Sequence, residues 1–227
     1  AGHDLLEAHH LEFSHDPVVA TKAVDWPIKT VKDWQKITRL DLRQGVLGEH
    51  LGALRLIEEG LGGQVPYLMT VFTPLSVAGR LAPSPEAMLA HIREDPQAVH
   101  AALEAITQTF IAVVQECLSI GASGLFFATT EWGTYDRLSD AQYAEFGRPY
   151  DLRILEAAAG AEFNMLHVCR GNNMLRSLAN YPVHAFNWDA SDPTNLALAR
   201  GKAYLGKAVV GGLNHKATLP KGSADEV

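Results

Sequence analysis

The chain has 227 residues, 47% of them hydrophobic and 20% charged, which is enough apolar content for a substantial core and excludes overall disorder. Nineteen Lys and Arg against 26 Asp and Glu give a net charge of −7. That balance argues against non-specific nucleic-acid binding and against a polybasic membrane surface. Two cysteines, Cys117 and Cys169, cannot build a disulfide framework. No apolar run approaches the roughly 20 residues that cross a bilayer, and no basic-then-apolar leader opens the chain. A cytoplasmic protein is expected. Residue 1 is Ala, so the chain is expected to be part of a longer gene product.

In chain order, residues 1–66 contain no convincing strand; Val18-Val19-Ala20 is short and lies between Pro17 and Lys22. A helix carries Leu47, Leu51 and Leu54 on one side and ends near Gly60. After the turn Gly62-Gly63-Gln64-Val65-Pro66, the first clear strand runs from Tyr67 to Phe72. Asp95-Pro96 then offers an Asp N-cap with Pro at the first helical position. Val99, Leu103, Ile106, Phe110, Val113 and Cys117 recur at spacings of four and three, one apolar helical face. Further strands are expected at Gly124 to Thr129, Phe163 to Val168, Val183 to Asn187 and Ala208 to Gly212. Each is nearly continuously apolar, as parallel strands covered on both faces are. Ser139 with Gln142 reads as a capping box, as does Ser223 with Glu226. Asp192-Pro193 starts another helix, which Gly206 stops.

This alternation implies an α/β fold with a parallel sheet and right-handed crossovers. An open doubly wound sheet and a closed barrel both fit the pattern, but five strands are too few to close a barrel. The terminal capping box announces a helix just where the chain stops, at Val227. Strands are therefore expected to be absent from both ends.

In such folds the active site lies at the carboxyl ends of the strands. Five segments follow strands here: Thr73-Pro74-Leu75-Ser76, Thr130-Glu131-Trp132-Gly133-Thr134, His167 through Asn173, Asn187 through Asp192, and Gly211 through His215. His167 and Cys169 are two apart, so on a strand they share a face. Imidazole and thiolate together suit Zn²⁺, though a catalytic zinc needs a third protein ligand. A buried Cys beside a hydrogen-bonded His is the alternative. Glu131 and Asp189 are candidate acid/base groups or partners of a cationic substrate group; capping and loop hydrogen bonds are their other reading. Thr73, Asn187 and Asn214 stand at strand ends as candidate substrate contacts. Trp132 and Trp188 could wall a flat ligand or simply pack. Arg80 and Arg170 could grip a substrate carboxylate. Asn214 and His215 follow Gly211-Gly212, which lets backbone approach a ligand. Cys117 is expected in the core, and His9, His10 and His91 are expected to be exposed.

With these residues in hand, the chain resembles the uroporphyrinogen decarboxylase superfamily, which includes zinc- and corrinoid-dependent methyltransferases. The resemblance runs over most of Trp26 to Val227. Trp26-Pro27-Ile28-Lys29-Thr30-Val31-Lys32-Asp33-Trp34 is similar to the segment that leads from the family's second strand to a helix. Tyr67-Leu68-Met69-Thr70-Val71-Phe72-Thr73-Pro74-Leu75-Ser76 resembles its strand ending in a small-Pro-aromatic-Thr turn. Gly121 through Phe127 with Trp132-Gly133, the helical set Tyr143, Phe146, Pro149 and Tyr150, Phe186-Asn187-Trp188-Asp189, and Val210-Gly211-Gly212-Leu213-Asn214 resemble later family segments.

The resemblance implies a (β/α)8 TIM barrel, incompletely represented, in which the five strands are barrel strands three to seven of one domain over 1–227. It implies zinc at His167 and Cys169, since the methyltransferase branch carries His-x-Cys at the end of the fifth strand. The branch's third ligand is a Cys on the eighth strand. The implied reaction is methyl transfer between a corrinoid, carried by a corrinoid protein, and a thiol that zinc activates. Departures exist: the decarboxylase's active-site Tyr falls at Arg80, and its Asp-Ser or Glu-Ser is replaced by Thr129-Thr130 with Glu131 next. Decarboxylation of a uroporphyrinogen-like tetrapyrrole, needing no cofactor, is the alternative activity. A non-catalytic corrinoid- or tetrapyrrole-binding module is a third reading. A homodimer is the assembly considered.

Overall fold

A computed structural model describes residues 10–12, 22–214 and 216–225. In chain order the elements are β1 (His10–Glu12), β2 (Lys22–Asp25), a 3-10 turn (Val31–Lys36), α1 (Gly45–Leu61), β3 (Leu68–Phe72), α2 (Pro74–Leu81), α3 (Pro85–Glu94) and α4 (Pro96–Ile120). There follow β4 (Gly124–Ala128), a 3-10 turn (Thr130–Gly133), α5 (Asp140–Phe146), α6 (Arg148–Ala157), β5 (Met165–Val168), β6 (Ala185–Trp188), α7 (Leu198–Leu205), β7 (Ala208–Val210) and α8 (Thr218–Lys221). They fall into two compact units. One comprises Ala1–Pro66 with Pro74–Ala122, the other Tyr67–Thr73 with Ser123–Val227.

The first unit is organised by α4. The Asp95 carboxylate accepts from the Ala98 amide at 3.0 Å and Pro96 opens the helix, so the expected N-cap forms. Val99, Leu103, Ile106, Val113 and Cys117 are all buried, the face expected from their spacing. The first 3-10 turn, α1, α2 and α3 pack on this helix. By length and composition α4 could cross a membrane, contrary to the expectation that no apolar run approaches that length. Its packing partners are those of a core helix. β1 and β2 pair antiparallel, where no convincing strand was expected. They are three and four residues long, too short for a periodic signal. Val18-Val19-Ala20, His9 and the side chain of His10 lie outside the described part of the structure. His91 is buried, not exposed as expected. The Trp34 indole N–H donates to its Nδ1 at 3.2 Å, and that partner is 57 positions away.

In the second unit the five strands lie in the order β3-β4-β5-β6-β7, all parallel. The order never reverses. A doubly wound sheet must reverse at a switch point, so the winding is that of a barrel. Pairing is fully in register: Phe72, Ala128, His167, Asn187 and Val210 form one cross-strand row. Leu125, Phe127, Leu166, Val168, Phe186 and Trp188 are buried and alternate with half-buried Phe126, Met165, His167 and Asn187. One face of the sheet is therefore covered and the other is open, the two-residue period of a strand.

Two features lock this sheet. A Cβ on Gly124 would lie 1.9 Å from the Phe163 carbonyl oxygen, so β4 must start with glycine. Beside it, buried Asn164 accepts from the Leu125 amide (3.0 Å) and donates to the Ala158 carbonyl (2.8 Å). The Ser139–Gln142 capping box forms at α5. The helix expected from Asp192-Pro193 begins only at Leu198. Asp192 Oδ1 instead accepts from the Thr194 amide and hydroxyl, at 3.0 and 2.6 Å, which diverts the chain into a turn. Gly206 ends α7 in the left-handed conformation, φ 63°, as expected. The second expected capping box involves Glu226, outside the described residues.

Candidate active site

The carboxyl edge of the second unit is stitched from loop to loop. Thr134, after β4, bridges Asn173, after β5. The Met174 amide donates to the Gly133 carbonyl at 2.8 Å and the Tyr135 amide to the Asn172 carbonyl at 2.9 Å. Asn195, beyond β6, donates from Nδ2 to the carbonyls of Arg170 and Asp189, both at 2.9 Å, and accepts from the Asn173 amide. Lys216, beyond β7, reaches Asp189 at 2.9 Å. Four strand-end loops are thereby held as one rim. Thr130, Arg170 and Asn172 on this rim have φ of 49°, 70° and 46°. Side chains disfavour that region by roughly 1–2 kcal/mol each, and such strain concentrates at functional sites.

His167 is the best-defined side chain at this edge. It occupies the open face, at the centre of the cross-strand row. The small partner Ala128 leaves space beside it, and its ring stacks on Phe126 with centroids 5.1 Å apart. Its Nδ1 lies 2.5 Å from Asn187 Oδ1. The other end of that amide donates to the Val210 carbonyl at 2.8 Å, which identifies the Asn atom facing His167 as oxygen. Nδ1 therefore carries the hydrogen, and Nε2 keeps a bare lone pair in the neutral ring. Burial holds the imidazole pKa below its ordinary value, against the opposing pull of the Asn187 hydrogen bond. Cys169 follows two residues later, half-buried and with a free thiol. Among the described residues no group of three His, Cys, Asp or Glu side chains is close enough to hold a metal. The donor chemistry of the two residues still fits zinc, one offering an imidazole nitrogen free to accept and the other a free thiol two positions further along the chain.

The other expected site residues take varied positions. The Asp189 carboxylate accepts from the Ser191 amide (3.1 Å) and hydroxyl (2.5 Å) and pairs with Lys216. Burial would raise its pKa, but Ser191 and Lys216 outweigh burial and bring it to about 2. Glu131 lies in the 3-10 turn after β4 and pairs with Arg137 at 3.0 Å. Arg170 is exposed on the rim. Asn214 closes a turn by accepting from the Lys216 and Ala217 amides, both at 3.0 Å. His215 lies outside the described residues. Thr73 is buried, and its amide donates to the Ala128 carbonyl at 3.0 Å. Both tryptophans are core side chains. Trp132 is buried, and Trp188 packs over Gly201, its indole N–H on the Leu196 carbonyl at 2.7 Å. Arg80 is exposed at the end of α2 in the first unit. A groove of about 840 Å³ is formed wholly by first-unit residues such as Arg39, Arg43 and Glu116; none of the expected site residues lines it.

Phe126 and Asn195 went unnoticed in the sequence. Phe126 could have been found, because the two-residue period places it on the face of Ala128. Asn195 carries no such signal.

The uroporphyrinogen decarboxylase (URO-D) family profile matches residues 12–227. The methylcobamide:CoM methyltransferase MtbA of Methanosarcina mazei is 24% identical over 203 residues, which are 88% of this chain and 58% of that protein. A uroporphyrinogen decarboxylase of Flavobacterium johnsoniae is 29% identical over 138 residues, 59% of this chain and 39% of its own length. The chain thus spans little more than half the length of the methyltransferase it matches. A solved structure of a methyltransferase from Methanosarcina mazei superposes with a TM-score of 0.77 at 19% identity, covering 98% of this chain and 65% of the other. The fold is the TIM-barrel fold, with five parallel strands described here.

Proposed function

The chain belongs to the uroporphyrinogen decarboxylase family, and from that premise we propose that it serves methyl transfer between a corrinoid and a thiol, His167 and Cys169 holding zinc. The observation that carries this reading is the orientation of His167. With Nδ1 engaged by Asn187, only Nε2 is left to coordinate, and Cys169 stands two residues along the same edge. Zinc bound there would act as a Lewis acid, favouring the thiolate form of a substrate thiol near neutral pH. The chain's own residues do the rest. Phe126 and Asn187 hold the imidazole plane, and the stitched rim holds the loops that meet the substrates. Arg170, exposed on the rim, is placed to meet an anionic group of the thiol or the corrinoid. A corrinoid protein is the partner this reading requires; the methylcobamide in the name of the Methanosarcina mazei relative supports a corrinoid as methyl donor.

Decarboxylation of uroporphyrinogen is the second reading, supported by the Flavobacterium johnsoniae relative. One set of assays separates the two. Metal analysis of the purified protein is expected to find about one zinc per chain, lost in Cys169→Ser. Methylcobalamin is expected to lose its methyl group to an added thiol in the wild type alone. Coproporphyrinogen formed from uroporphyrinogen by metal-free protein would overturn the methyl-transfer reading.

A further inference from the structure

We propose that Asn187 is a positioning residue: it fixes the tautomer and plane of His167 so that Nε2, not Nδ1, is presented at the open edge. The inference deepens the zinc reading above and rests on it for the identity of the metal. The geometry itself is independent of that reading.

Three observations carry it. His167, Asn187 and Val210 are consecutive partners in one cross-strand row, on β5, β6 and β7. At strand spacing, the short Asn side chain spans from one neighbour to the other. Its oxygen meets Nδ1 at 2.5 Å and its nitrogen meets the Val210 carbonyl at 2.8 Å. Because a backbone carbonyl can only accept, a flipped amide would set its oxygen against the Val210 carbonyl and lose that hydrogen bond. The orientation of Asn187 is thus set by β7, and it is passed on to the ring on β5.

The third observation is the far side of the ring. Phe126 stacks on it with an interplanar angle of 24°, which opposes tilting and leaves the half-turn flip of the ring about Cβ–Cγ as the main freedom. The Asn187 oxygen removes that freedom. Histidine ligands are commonly oriented in this way, through a hydrogen bond from the nitrogen that does not coordinate. Asn187 was expected to touch substrate. Its two internal hydrogen bonds assign it instead to the ring beside it.

The test uses two variants of the full-length protein and two readouts. Asn187→Leu keeps the branched shape and removes both the acceptor and the donor. Asn187→Asp keeps an oxygen acceptor for Nδ1, removes the donor to Val210 and adds a negative charge. Nitrogen-15 NMR of the metal-free protein at neutral pH reports which ring nitrogen of His167 carries the hydrogen. Competition against a chromophoric chelator reports the affinity for Zn²⁺. The wild type is expected to show a protonated Nδ1 and a bare Nε2, and Asn187→Asp is expected to keep the hydrogen on Nδ1. Asn187→Leu is expected to lose that signature and to bind Zn²⁺ roughly 10–100-fold more weakly. An unchanged tautomer and unchanged zinc affinity in Asn187→Leu would overturn the proposal. Failure of Asn187→Asp to preserve the Nδ1–H signature would overturn it as well. A wild type that shows the signature yet takes up no zinc would defeat the metal reading alone, because the NMR readout needs no metal.

Discussion

Asp151 is a buried carboxyl whose removal should change how stability depends on pH. It lies in α6 with no solvent exposure. Its Oδ2 accepts from the Tyr143 hydroxyl at 2.7 Å and the Tyr181 hydroxyl at 2.8 Å, while Oδ1 has no hydrogen-bond partner among the described residues. Burial lifts its pKa from 3.8 to about 7; the two tyrosines and the Arg148 charge pull it back only in part. A carboxyl raised in the folded state binds its proton there while the unfolded chain has already released it. Its stabilising contribution is therefore complete below about pH 4, declines as pH rises, and is gone above about pH 7. A rise from 3.8 to about 7 corresponds to about 4 kcal/mol over that window.

Asp151→Asn keeps the shape and cannot ionise. Urea unfolding of the wild type and variant at several pH values from 4 to 8 isolates the effect, since every other titrating group is common to both. Relative to the wild type, the variant is expected to gain about 4 kcal/mol of stability between pH 4 and pH 8. The amide can cost about 1–3 kcal/mol at every pH by burying an unpaired N–H, but that offset is constant and leaves the slope intact. Curves that stay parallel to within about 1 kcal/mol would refute the reasoning, because they would mean that Asp151 ionises as an exposed carboxyl does.

Two further substitutions probe the packing. Gly201→Ala would set a Cβ 2.3 Å from the Trp188 ring; a loss of about 1–3 kcal/mol is expected, with altered tryptophan near-ultraviolet circular dichroism, and an unchanged melting temperature would contradict the close approach. Trp34→Phe keeps the aromatic filler but removes the indole donor to His91 Nδ1; a loss of about 1–3 kcal/mol in urea unfolding is expected, and a neutral outcome would mean that this hydrogen bond does not contribute.

The elements legible in advance were those whose signal is local. The Asp95-Pro96 start of α4, the Ser139–Gln142 box of α5 and the Gly206 stop of α7 each depend on residues within one turn, and each formed as expected. The Asp192-Pro193 start failed for an equally local reason, because Asp192 spends its oxygen on Thr194 in a turn. His91 was misjudged because its burial depends on Trp34, far away in the chain. Trp132 and Trp188 could not be assigned to ligand or core from their positions at strand ends, and burial decided it.

From residues alone came the strand–helix alternation and the parallel sheet, with His167 at the carboxyl end of its third strand, since these follow from apolar runs, caps and periods of two and about 3.6 residues. Tertiary structure was needed to decide which nitrogen of His167 is left open, that Asn187 faces that ring rather than solvent, and that one oxygen of Asp151 has no partner among the described residues. These depend on strand register and on atoms about 20 positions or more apart in sequence, and no local pattern carries that information.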